Sequence, residues 1–341
     1  MTSPLDVLGV GAGVSGLSCA RAIAASGRRV QLLDRARGVG GRCATHRLLG
    51  MPFDLGVAFL HGRDPDFLAA VRAASPRRVE GWPRIVKGTG RPCQPEAFRP
   101  GEERIALADG VTAFPKKLAE GLSLRTAARV ERLDLSGPAP GVVLEGGEEL
   151  RARNVVLALA AEQVLRLLDG AGDLPRSVAS LRALLDTGAS EPSLSICAAY
   201  PEGTAPPGWD AWYPEASPVL QYLGHESSKR LEPPFVGLVL QAQPAWSRRH
   251  LDDPEWPGAL LAEAARLAGD WAARPAATHA HRWRFARIDL ASELSGAVLV
   301  RLPSGGSVGI CGDRFAPGGG VEAAWISGRE LGRRLAAPEV A

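Results

Sequence analysis

The apolar positions of the first forty residues fall into three blocks. Val7, Leu8 and Val10 make a short, almost unbroken apolar run, Ala-rich sequence follows a cluster of glycines, and Val30-Gln31-Leu32-Leu33 ends on an acid, Asp34. A short apolar run bounded by glycine predicts a strand buried on both faces, and the Ala-rich stretch predicts a helix. Strand, glycine turn, helix and a second strand closed by an acid compose a βαβ unit of the dinucleotide-binding type.

Each glycine of Gly11-Ala12-Gly13-Val14-Ser15-Gly16 has a mechanical task. Gly11 permits the tight turn off the strand, Gly13 lets the backbone approach a pyrophosphate, and Gly16 lets the helix pack close to the sheet. The unpaired N–H groups around Ala12, Val14 and Ser15 and the positive end of the helix receive the phosphates. Asp34, about twenty residues on, accepts from a ribose diol.

Downstream, the pattern predicts a short strand and turn at Phe53-Asp54-Leu55-Gly56, a helix at 66–74 and small strands near Arg84-Ile85-Val86-Lys87. A helix is expected at 114–122, a strand at 124–135 and a buried parallel strand at 154–160 that enters a helix through Leu168. Residues 170–290 are dense in Pro and Trp, with alternating strands at 193–199 and 235–243 and a long helix at 257–273. Near the end, Val308-Gly309-Ile310-Cys311-Gly312-Asp313 reads as a strand and turn ahead of Gly318-Gly319-Gly320-Val321-Glu322 and a final Ala/Leu/Arg helix. The organisation expected is a discontinuous nucleotide domain (1–59, 105–168 and 292–341) and a substrate or cap domain (60–104 and 169–291). The tryptophans of the second domain are expected to act as core and interface anchors.

Composition narrows the function classes. At 341 residues and a net charge of +3, with only four lysines among 40 basic residues, the chain has no nucleic-acid-binding profile. No apolar stretch approaches 18 residues and the apolar start at Val7 is used by the nucleotide motif, so neither a membrane span nor a signal peptide is expected, and the cytoplasm follows as the default. Five cysteines (Cys19, Cys43, Cys93, Cys197, Cys311) are scattered without a CxxC pair, which argues against a disulfide framework and against a bound metal. Cys19 and Cys311 lie in apolar contexts and read as small core residues.

The loop Arg35-Ala36-Arg37-Gly38-Val39-Gly40-Gly41-Arg42 resembles the second fingerprint of the glutathione-reductase-like FAD enzymes, especially their amine oxidase branch. Together with the stretches 11–34 and 308–328, with Asp54-Leu55-Gly56 and with the segments 245–251 and 281–287, it makes the whole chain resemble the bacterial renalase-like FAD oxidoreductases. That resemblance implies an α/β fold: a Rossmann-like FAD-binding domain with an α+β substrate domain on a mixed or antiparallel sheet. It also implies non-covalent FAD held by the Gly11–Gly16 turn, Asp34, Arg35, Gly40, Gly41, Arg42 and Val130. Gly312 and Asp313 would serve the ribityl chain, and Gly320, Val321 and Glu322 would form the helix N-terminus facing the flavin's pyrimidine edge.

Renalases oxidise dihydropyridine isomers of NAD(P)H and pass the electrons to O2. The chain departs from that group where substrate binds. Val57-Ala58-Phe59-Leu60-His61 replaces Ala-Gln-Tyr-Phe-Thr, Glu226 stands where the family has Asn, and Gln241 where it has an active-site His. His61, Glu226 and Gln241 are therefore the candidate substrate-site residues. A small-molecule substrate is expected, without nucleic acid or membrane as partner. The alternatives are an FAD-dependent amine oxidase or desaturase of a hydrophobic metabolite, and a flavin-binding protein without turnover.

Overall fold

A computed structural model describes residues 5–88, 97–172 and 174–338; Cys93 lies outside them. The chain divides into two compact units, one built from 1–41, 115–190 and 288–341, the other from 42–114 and 191–287.

The first unit is organised by an eight-stranded mixed sheet. Its parallel core runs in the order Ser123–Arg125, Val30–Leu33, Leu5–Val10, Glu149–Leu157 and Ser307–Ile310, with Val7 opposite both Val30 and Asn154. The central strands are apolar on both faces because helices cover both sides of such a sheet. Leu8, Leu33, Val155, Leu157, Val308 and Ile310 share one cluster with Leu167 and Leu181 of the helices Ala161–Asp169 and Arg176–Leu185. Each such side chain contributes about 1.5–3 kcal/mol on burial. Gly141–Leu144 and Val130–Asp134 extend the sheet as antiparallel strands, and Val298–Arg301 pairs antiparallel with Ser307–Ile310.

The helices Val14–Ala24 and Gly320–Ala336 pack against each other at glycine: a Cβ on Gly328 would stand 2.1 Å from the Ser15 carbonyl oxygen. The single strand expected over 124–135 is two strands. Ser123–Arg125 lies parallel to Val30–Leu33, the chain bends at Ala127 (φ 52°), and Val130–Asp134 leaves antiparallel. Periodicity cannot register such a bend, because apolar residues continue through it.

The second unit carries a six-stranded sheet in the order Ala277–Ile288, Ser190–Ala199, Gly237–Ala242, Leu220–His225, Ala211–Trp212 and Val86–Lys87. A hairpin, Thr45–Leu48 with Met51–Asp54, and a three-stranded sheet of Leu60–Gly62, Glu103–Leu107 and Arg78–Glu80 accompany it. Trp246 and Trp256 join Leu194, Ile196, Leu238, Leu240 and Leu260 in one cluster, so these tryptophans are core residues. The helix expected to reach 273 ends at Ala268, because Gly269 takes φ 105° and starts a 3-10 turn. The helix expected over 66–74 spans Pro65–Ala74, capped by Asp64 accepting from the Phe67 amide. Among the described residues no helix is long and apolar enough to cross a membrane.

Candidate functional site

The first strand hands over to its helix through a turn with no room for side chains. Gly11 donates its amide to Leu33 O at 2.8 Å and takes φ 104°; a Cβ there would stand 2.4 Å from Ala158 O. A Cβ on Gly16 would stand 2.0 Å from Gly11 O. Gly13 is different: a Cβ there would meet nothing within 4 Å. Gly13 is the N-cap of Val14–Ala24 and contributes no side-chain cap, so no side chain occupies the first amides of this helix at the cap. A helix start without a side-chain cap, positively polarised and with open space at the Gly13 Cβ position, fits a pyrophosphate.

Asp34 closes the turn. Its Oδ2 accepts from the Ala12 amide at 2.7 Å and its Oδ1 from the Ala36 amide at 2.8 Å. A carboxylate has about four acceptor positions, so two remain for a diol. Gly40 donates to Ala12 O at 2.9 Å and bridges Gly13, which lays the Gly40-Gly41 loop alongside the turn. Ala127 and Ala128 donate to Ala36 O and Asp34 O, both at 2.8 Å, and bring the segment leading into Val130 beside the acid. Arg35 is exposed on the same loop.

The C-terminal candidates gather in the same unit. The Gly312 amide donates to Ser327 Oγ at 3.2 Å, which ties the turn after Ser307–Ile310 to the final helix, and Asp313 is buried. Gly320–Ala336 starts at Gly319 with no side-chain cap and carries Val321 and Glu322 in its first turn. Arg42 belongs by packing to the second unit, where its Nη1 donates to Ala286 O at 3.3 Å.

The substrate-site candidates lie in the second unit and have other occupations. The polar run around Glu226 looks solvated as a sequence, yet Glu226 is completely buried. Its Oε1 lies 2.5 Å from Lys229 Nζ, and its Oε2 accepts from Arg230 Nη2 at 2.7 Å and from the Asp54 amide at 3.1 Å. The Glu226 carboxylate is thus engaged inside the protein, by Lys229, Arg230 and the Asp54 amide. Asp54 completes the cluster, accepting from Lys229 Nζ and Arg230 Nη2 at 3.2 Å and from Thr45 Oγ1 and the Val111 amide at 2.8 Å. Burial pushes the Asp54 carboxyl up, but Lys229 and Arg230 outweigh it and hold it below the usual range. At Glu226 burial wins and, with the nearby Asp54 charge, raises the carboxyl against the pull of Lys229 and Arg230.

Gln241, on Gly237–Ala242, donates through Nε2 to Gly56 O at 2.7 Å and Leu55 O at 3.3 Å, and its Oε1 faces Arg287 Nη2 at 3.4 Å. Its amide thus satisfies buried backbone carbonyls. His61 pairs through Nδ1 with Glu102 Oε1 at 2.8 Å, and Glu102 also holds Arg63. The three candidates are not joined to one another by any of these bonds. Lys229 and Arg230 gave no separate signal in the sequence, and Asp54 stood out there only within Asp54-Leu55-Gly56. Among the described residues no group of three or more His, Cys, Asp or Glu side chains could hold a metal.

The uncapped helix start, the glycine turn and the acid that closes it define a dinucleotide-binding βαβ unit. Two family models match the chain: an NAD(P)-binding Rossmann-like domain over residues 10–74 and flavin containing amine oxidoreductase over residues 88–331. The chain belongs to the flavin containing amine oxidoreductase family, a class of FAD-dependent oxidoreductases, and FAD is the cofactor its nucleotide turn fits.

Polyamine oxidase 5 of Oryza sativa subsp. japonica is 40% identical over 60 residues, 18% of this chain and 12% of that protein. The chain thus matches only about an eighth of that relative's length. Two solved structures share the fold along almost the whole chain. A proposed protoporphyrinogen oxidase from Exiguobacterium sp. 255-15 has a TM-score of 0.73 at 14% identity, covering 98% of this chain and 99% of its own. Cyclohexylamine oxidase from Brevibacterium oxydans IH-35A has a TM-score of 0.65 at 16% identity, with the same coverage. At these identities the likeness is one of fold.

Proposed function

We propose that the protein removes a hydride from a carbon bonded to nitrogen in a small organic substrate, an amine or a dihydropyridine such as an isomer of NAD(P)H, with O2 as the final acceptor. The observation that carries this reading is the nucleotide turn, where Gly11 and Gly16 exclude side chains while Gly13 faces open space, in a chain of the amine oxidoreductase family. FAD, when bound, supplies the two-electron acceptor. In this reading the Gly11–Gly16 turn, Asp34, Arg35, Gly40, Gly41, Arg42 and Val130 hold its adenosine and pyrophosphate end. Gly312, Asp313, Gly320, Val321 and Glu322 hold the other end. Attachment is non-covalent, which agrees with the burial of Cys19, Cys43, Cys197 and Cys311.

Hydride loss from a carbon next to nitrogen needs no covalent bond to the protein. The nitrogen lone pair stabilises the cation left behind, so the protein has only to orient the substrate and exclude water. The resemblance to renalases along the chain supports a dihydropyridine, whereas the names of the polyamine and cyclohexylamine oxidases support an amine.

Anaerobic addition of putrescine, cyclohexylamine and isomer-containing NAD(P)H to the flavin-loaded protein tests the reading and separates its arms. Bleaching of the visible flavin bands by one class names the substrate, and readmitted O2 is expected to return them with one peroxide per hydride. Bands that persist with every reductant would remove the proposal and leave a flavin-binding protein without turnover.

A further inference from the structure

Arg314 lies buried in the nucleotide-holding unit, directly after Asp313 in the chain. Its Nε donates to Ser292 O at 2.7 Å, its Nη1 to Leu185 O and its Nη2 to Thr187 Oγ1, both at 2.8 Å. Its own carbonyl accepts from the Leu294 amide at 2.7 Å. No carboxylate is among these partners: burial disfavours the charge, and Glu162 and Asp289 draw on it only from a distance. Leu185 ends the helix Arg176–Leu185, where unpaired carbonyls carry partial negative charge and favour a cation. The two segments press together beside the guanidinium: a Cβ on Gly188 would stand 2.3 Å from the Ser292 Cβ and 3.1 Å from Arg314 Nη2.

Withdrawing a guanidinium from water without a carboxylate to balance it is costly. An apolar side chain could fill the volume, but only a planar fork of donors joins acceptors on two segments. The backbone that carries the fork is the turn Asp313–Phe315, closed by the Phe315 amide on Gly312 O at 3.1 Å and tied to the final helix through Ser327. The 288–292 stretch also backs the start of that helix, since a Cβ on Gly319 would stand 3.1 Å from Leu290 and 3.2 Å from Ile288. Topology puts this turn on the cofactor's side of the sheet. Val10, Leu157 and Ile310 are register partners at the carboxyl ends of three adjacent parallel strands, and open α/β sheets bind ligands beyond such ends. The Ala158 carbonyl faces the Gly11 Cβ position at 2.4 Å and the Leu159 carbonyl that of Gly312 at 3.9 Å, so both turns flank one strand end.

We propose that Arg314 is a positioning residue for FAD: it pins the 313–315 turn and the 290–294 segment to the end of Arg176–Leu185, and so fixes where Asp313 and the start of the final helix meet the cofactor. This role rests on the reading that Gly312, Asp313 and Gly320–Glu322 hold the flavin end. Arg314 itself is assigned no contact with FAD.

Four variants test it. Arg314→Met removes the donors, and Arg314→Lys keeps a charge without the fork. Thr187→Val removes one acceptor only and decides the matter if Arg314→Met does not fold. Asp313→Ala tests the underlying reading. In the FAD-free Arg314→Met protein, exchange of the Leu294 and Phe315 amides is expected to quicken about tenfold, with the Gly11 and Gly40 amides unchanged. Titration with FAD is expected to give a Kd about tenfold higher, and the bound flavin an altered visible circular dichroism. Arg314→Lys is expected to share these effects, and Thr187→Val to show smaller shifts in the same direction.

Unchanged exchange at Leu294 and Phe315 overturns the pinning. Faster exchange with unchanged FAD affinity and dichroism overturns the positioning role and leaves a structural one. Wild-type behaviour of Arg314→Lys overturns the fork. If Asp313→Ala keeps the wild-type Kd, the reading of the flavin end has failed and the role of Arg314 falls with it. If Asp313→Ala loses affinity and Arg314→Met does not, that reading stands and only the role of Arg314 is lost.

Discussion

Lys229 Nζ stands 3.2 Å from Asp54 Oδ2, with both side chains closed to solvent and Glu226 and Arg230 completing a balanced set of four charges. A balanced buried set is tolerable; an unbalanced one is not. Lys229→Met alone leaves an excess buried negative charge and is expected to cost about 3–5 kcal/mol of stability. The double variant Lys229→Met/Glu226→Gln restores neutrality and is expected to recover most of that loss. Urea unfolding of the two proteins checks this, and equal midpoints would contradict it.

The glycines of the nucleotide turn divide into two kinds. Gly16→Ala forces a Cβ into the Gly11 carbonyl oxygen and is expected to lower the melting temperature even without FAD. Gly13→Ala points its methyl into open space. It is expected to keep the flavin-free melting temperature but weaken FAD binding about tenfold or more, equivalent to about 1.4 kcal/mol. Thermal melts with and without FAD, together with flavin absorbance per chain after gel filtration, separate the two.

Asp34 accepts one backbone amide on each oxygen, from Ala12 and Ala36. Asn at this position turns one oxygen into an NH2 group that faces an amide donor. Asp34→Asn is expected to cost about 1–3 kcal/mol in stability and to weaken FAD retention as well. Titration of the flavin-free variant with FAD measures the second effect.

Acid lability is expected from the histidines of the second unit. His46 and His279 stack with ring centroids 3.7 Å apart, and the His281 ring lies tilted against Trp283 at 4.2 Å. Burial lowers the His46 and His281 imidazoles, with His279 adding to both and His46 to His281. A histidine whose folded pKa is depressed charges first in the unfolded chain, near pH ~6.5. Stability is therefore full above that value and declines as pH falls from ~6.5 through the lower folded values. Melting temperatures at a series of pH values check the sign, and the double variant His46→Gln/His281→Gln is expected to flatten the decline.

The nucleotide turn was legible because its logic is local. Gly11, Gly13, Gly16 and Asp34 act through backbone geometry set within one βαβ unit, and strand, turn and helix appear in the sequence in the order they appear in space. The substrate-site candidates were less legible because their partners are remote. Glu226 stands in a polar run of a kind usually left in water, yet the fold brings Asp54 to it from the distant Met51–Asp54 strand. His61 reads as a free loop histidine until Glu102 arrives across the pairing of Leu60–Gly62 with Glu103–Leu107.

The amino-acid order alone determined the Rossmann-type core, because buried parallel strands, glycine turns and a strand-end acid leave marks at fixed short spacings. It also determined that the tryptophan-rich stretch would hold a sheet-based unit, with Trp212, Trp246 and Trp256 in its core. Only the tertiary structure decided that Asp54, Glu226, Lys229 and Arg230 form one buried cluster and that Gln241 serves the carbonyls of Leu55 and Gly56. Charge pairing and carbonyl capping depend on distances between strands far apart in the chain, which no local pattern encodes.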